Sequence, residues 1–131
     1  MKVRAQFSTL GRDVFGDRYS KECLDKVVDI IKEENIPVLA NFYPGSVIGR
    51  AVDGDVNEEG AFANLIVRND LGGKIEEMYL APAFIIEDGD YNEETKTYVG
   101  GTIYCLSFTR QHADKNVKPA EIIEDDIKGL M

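Results

Sequence analysis

At 131 residues, 44% hydrophobic and 30% charged, the chain is long enough for one domain with an ordinary core and too apolar for an intrinsically disordered one. Its net charge of −9 excludes direct nucleic-acid binding, which needs a basic surface, and no apolar run approaches the roughly 20 residues of a membrane span. The acidity serves solubility, or else a basic protein partner or a steering field. The opening MKVRAQFSTL has no apolar signal-peptide core, so synthesis in the cytoplasm is expected.

In chain order, residues 2–9 alternate Val3, Ala5, Phe7 and Thr9 against Lys2, Arg4, Gln6 and Ser8, which predicts a half-buried strand. Residues 10–18 hold two glycines and two aspartates and read as a loop. Ser20 reads as an N-cap, with Tyr19 and Leu24 at the positions of a hydrophobic staple. Cys23, Leu24, Val27, Val28, Ile30 and Ile31 then recur at helical spacing, and Asn35 with Pro37 ends the helix. Strands follow at 37–42 and 47–52, then an acidic turn at 53–60, a strand at 61–67 and a turn at 69–73. Residues 74–80 suit either a short helix or the start of a strand. Residues 83–87 and 97–109 read as strands joined by a long hairpin tip at 88–96. Pro119 opens a candidate C-terminal helix with Ile122, Ile123, Ile127 and Leu130 on one face.

The candidate chemistry is sparse. Asp88, Asp90 and Asn92 match the first ligands of a calcium loop, but Glu93 stands where glycine is needed and Val99 where a bidentate Glu is needed. A solvated hairpin tip is the expectation there. Gly100-Gly101 precedes a strand pattern rather than a helix, so a strand kink fits better than a phosphate loop. Cys23 and Cys105 sit in apolar patterns and read as buried, unpaired thiols. With one histidine and no Cys/His cluster, no metal or other cofactor is expected. That histidine, His112, lies five residues from Ser107, on the opposite face of a continuing strand, and reads as a surface residue.

Three segments in order resemble the phage prohead protease family, the serine proteases that mature viral capsids. They are GRDVFGDRYSKECLDKV at 11–27, IPVLANFYPGSVIGRAVDGDVNEEG at 36–60 and TIYCLSFTRQHA at 102–113. The resemblance implies that Ser107 occupies the nucleophile position and that the catalytic histidine belongs just after Asn41. The chain reads Asn41-Phe42-Tyr43-Pro44 there. A phenyl ring takes no proton, and a phenol with a pKa of about 10 is a poor base at neutral pH. Losing the base of a Ser–His pair costs several orders of magnitude in rate.

The expected fold is α+β: a curved, mainly antiparallel sheet or small β-barrel packed on one principal helix at about 20–35. Residues 1–116 form the domain, and 117–131 a tail or docking helix. Val38, Leu39, Ile48, Leu65, Ile66, Phe84, Ile85, Ile103 and Leu106 are expected to build the core with that helix. The expected function is a non-enzymatic virion protein, a capsid decoration or accessory head protein, whose partners are the major capsid protein and further copies of itself. Ile122, Ile123, Ile127 and Leu130 are the candidate partner-binding residues, against the alternative that the tail docks on its own sheet. Two other readings stand beside it: a divergent maturation protease with Ser107 as nucleophile, and a binding module unconnected with capsids.

Overall fold

The first strand, β1 (Lys2–Ser8), sends Val3, Ala5 and Phe7 into the core as its alternation demands. A computed structural model describes residues 1–110 and 114–124. Gln6 and Ser8, on the other side of β1, are buried too. Gln6 is satisfied there, donating to the Glu59 carbonyl at 2.8 Å and accepting from the Lys118 amide at 3.0 Å.

A two-residue strand, β2 (Arg18–Tyr19), leads into α1 (Lys21–Glu34). Ser20 caps the helix by accepting from the Cys23 amide at 3.1 Å. Asn35 closes it in the left-handed region, φ 54°, donating its N–H to the Ile31 carbonyl. Three strands follow, β3 (Pro37–Ala40), β4 (Val47–Asn57) and β5 (Gly60–Val67), and the buried stripe Cys23, Leu24, Val27, Val28 and Ile31 packs chiefly on β4 and β5. Residues 69–77 form a 3₁₀ turn, after which come β6 (Tyr79–Ile85), β7 (Tyr91–Asn92), β8 (Thr97–Tyr98), β9 (Thr102–Thr109) and β10 (Glu121–Glu124).

Seven strands make one sheet in the order β10-β1-β5-β4-β3-β9-β6, antiparallel except for the β3/β9 pair. The sheet curls so far that β6 lies against β1, giving a half-barrel with α1 packed on it. This is the α+β architecture expected. A small second sheet, β2-β8-β7, stacks Tyr19 on Tyr98 and sets Tyr91 at a tilt against Tyr98, with ring centroids 5.1 and 4.6 Å apart.

Several details differ from the sequence reading. Ile66 is 48% exposed and Ile85 53% exposed, so neither is a core residue. Leu65 and Val67 face inward, and period-two alternation turns Ile66 out. Ile85 lies at the end of β6, just beyond a register shift after Ala83. The acidic stretch 53–60 is mostly strand. β4 runs to Asn57, and Asp55 reaches across the sheet to Arg4 in a two-pronged ion pair at 2.7 and 3.1 Å. The 88–96 tip carries its own short strand, β7, and Asn92 caps it by accepting from the amides of Glu94 and Thr95. Gly101, φ +137°, provides the kink that separates β8 from β9.

The tail differs most. Residues 121–124 are a strand, not a helix. The Ala120 amide donates to the Met78 carbonyl at 3.0 Å, and Val3 pairs with Ile122. These tertiary hydrogen bonds outcompete a marginal helical stripe. Ile122 is half-buried and Ile123 is 57% exposed, as alternation requires. His112, Ile127 and Leu130 lie outside the described residues.

Candidate active site

Strand β3 ends at Ala40, and the chain then reverses over residues 41–46. Asn41 and Phe42 both have positive φ, 52° and 58°, and the Tyr43 amide donates back to the Ala40 carbonyl at 3.1 Å. Two left-handed residues closed by such a bond form a type I′ turn, which favours Asn at the first position and Gly at the second. Phe42 holds the glycine position, where an L side chain costs about 1–2 kcal/mol. Hydrogen bonds offset that strain. Asn41 donates its amide to the Phe108 carbonyl at 2.8 Å, and Ser46 Oγ accepts from the Ala40 amide at 3.2 Å.

The third bond brings the two sequence-predicted positions together. Parallel pairing of β3 with β9 sets Leu39 beside Ser107 and Ala40 beside Phe108. On its other side, Ser107 pairs with Ala81 of β6. Ser107 Oγ accepts the Phe42 N–H at 2.7 Å and lies 3.3 Å from the Phe108 carbonyl, a long bond. The place where the resembled family keeps its histidine is therefore in contact with Ser107, through the backbone.

This arrangement does little for nucleophilic chemistry. Such a serine needs a base within hydrogen-bond reach and an open path to substrate. Ser107 is 0% exposed. Among the described residues, both partners of its hydroxyl are backbone atoms. A backbone amide can only donate, so it holds the oxygen in place without withdrawing its proton.

Phe42 is 42% exposed, and its ring forms one wall of a cleft of about 210 Å³ beside Ala81 and Pro82. Phe7, Tyr19, Asp13, Asp17 and Asp114 also line the cleft. Burial, with lesser contributions from Tyr98, Asp13, Cys23 and Asp17, pushes the Tyr19 hydroxyl well above its ordinary range.

No protein-family model matches the chain, and no curated protein sequence matches it either. Among solved structures it is similar to a crystal structure of the Kaposi's sarcoma-associated herpesvirus protease in complex with an allosteric inhibitor. The TM-score is 0.59 at 11% identity, over 96% of this chain and 79% of that one. The chain has a viral-protease-like fold. At that identity the likeness concerns the path of the backbone and not the work of any side chain.

Sequence reasoning missed the cleft. Its carboxylates come from the 10–18 loop and from position 114, separated by about a hundred residues, and only the fold joins them. The signal was an aspartate-rich loop followed at once by Tyr19. Ile122 and Ile123 lie on β10, far along the sheet from Ser107, and Ile123 borders a shallow apolar hollow with Val52 and Ile66.

Proposed function

We propose that this chain is a non-enzymatic virion structural protein, a capsid decoration or accessory head protein built on a prohead-protease-like fold. One observation carries the reading: the enclosed Ser107 hydroxyl is held by the Phe42 amide, at the position where the resembled family has its base. The chemical part is missing while the scaffold around it is kept. Natural partners for such a protein are the major capsid protein and further copies of itself, assembled in the virion after synthesis in the host cytoplasm. The exposed apolar side chains of Val47, Ile66 and Ile123 along the outer face of the sheet support an interaction role. No cofactor is required.

Co-sedimentation with empty shells of the cognate major capsid protein tests this reading. Saturable binding that survives moderate salt is expected, and failure to pellet with shells at every salt concentration would remove it. The viral-protease-like fold itself favours a second reading, a divergent maturation protease with Ser107 as nucleophile. Covalent labelling of Ser107 separates the two.

A further inference from the structure

We infer that the cleft beside the 41–46 turn binds a lysine or arginine side chain presented by a protein partner. Its volume of about 210 Å³ suits a single long side chain. Phe7, Tyr19, Phe42 and Pro82 give it an aromatic and aliphatic lining, and Asp13, Asp17 and Asp114 add three carboxylates. Among the described residues, no lysine or arginine lines it. A cation on an apolar stem matches both properties: the stem packs on the rings while the charged head meets carboxylates and ring faces.

The donors that hold these carboxylates are neutral and add no counter-charge. Asp13 Oδ1 accepts from the amides of Phe15 and Asp17 at 2.8 and 3.0 Å. Asp17 Oδ1 accepts from the Tyr91 hydroxyl at 2.5 Å. Asp114 Oδ2 accepts from the Thr9 amide and hydroxyl at 2.8 and 2.6 Å, and its Oδ1 from the Asn116 amide at 3.1 Å. The cations of the same loop are engaged elsewhere. Arg12 donates to the carbonyls of Gly16, Thr95 and Lys96, and Arg18 donates to Thr97 Oγ1. The net charge of −9 adds a long-range pull on a basic segment. This inference does not depend on the capsid reading, because the cleft takes the cation whichever protein carries it.

The test is an NMR titration of the full ¹⁵N-labelled chain with N-acetyl-Gly-Arg-Gly-amide and with its citrulline analogue, a neutral isostere. The arginine peptide is expected to shift the amides of Ser8, Gly11, Phe42 and Ala81, and to bind at least about tenfold more tightly than the citrulline peptide. Asp17→Asn keeps an acceptor for Tyr91 and removes one charge, so it should weaken the arginine peptide and leave the citrulline peptide unchanged. Should that variant fail to fold, a salt titration of the wild-type chain replaces it: only the arginine peptide should lose affinity as salt rises. Equal binding of the two peptides, shifts scattered over the acidic surface, or no binding at all would overturn the inference.

Discussion

Ser107 shows how one hydroxyl serves as a fastener. It is enclosed by β3 and β6, and its oxygen takes the amide of a residue held in a strained conformation. Replacing it with alanine leaves the Phe42 N–H without its partner. Ser107→Ala should therefore cost about 2 kcal/mol of stability, read as a lower urea midpoint, and should speed hydrogen exchange at the Phe42 amide. An unchanged midpoint and unchanged exchange would show that the bond holds nothing. In the sequence, positions 42 and 107 were linked only as the base and nucleophile places that the resemblance implied; the structure joins them through the Phe42 amide. The left-handed turn was not. Asn-Phe lacks the glycine that marks a type I′ turn, and two of the bonds that tolerate Phe42, from Phe108 and Ser107, come from residues far away in the chain.

At the level of elements, α1 was readable from start to finish because its cap, stripe and stop are all local. Ser20→Ala removes the acceptor for the Cys23 amide and should cost about 1 kcal/mol, measured by the same urea melts. The tail was not readable in this way. Its isoleucines fit a helical face or a strand equally well over so few residues. What decides is the pairing with β1 and the bond from Ala120 to Met78, neither of which is local. Ile66 and Ile85 were misplaced for a related reason: a run of consecutive apolar residues hides which of its members faces inward. The extra length of β4 follows from a cross-strand partner, since Arg4 keeps Asp55 in the sheet and holds its carboxyl below the usual range.

Across the whole molecule, the sheet order lay beyond the sequence, because the parallel β3/β9 pair joins segments more than sixty residues apart. The fold class did not, since one clean helix among alternating segments leaves few ways to build a core. Burial also gives the molecule a pH dependence on the alkaline side. The Cys23 thiol donates to the Gly100 carbonyl at 3.6 Å, and burial pushes its pKa up from 9.0 to about 11. Tyr19, Tyr98 and Cys105 shift in the same direction, chiefly through burial, and the bond to Asp17 raises Tyr91 to about 12. The unfolded chain then releases these protons first and holds fewer of them. Stability should fall as pH rises above 9.0, and the Cys23 share of the loss should level off above about 11. Urea melts from pH 8 to 11 should show the decline, and Cys23→Ala should make it shallower.

In the proposed reading, Ser107 is a fastener within a viral-protease-like fold and not a nucleophile. Intact-mass measurement after treatment of the native protein with a fluorophosphonate tests this most directly. The account predicts no adduct at Ser107. An adduct that forms on the native chain and is absent when the chain is denatured first would contradict it.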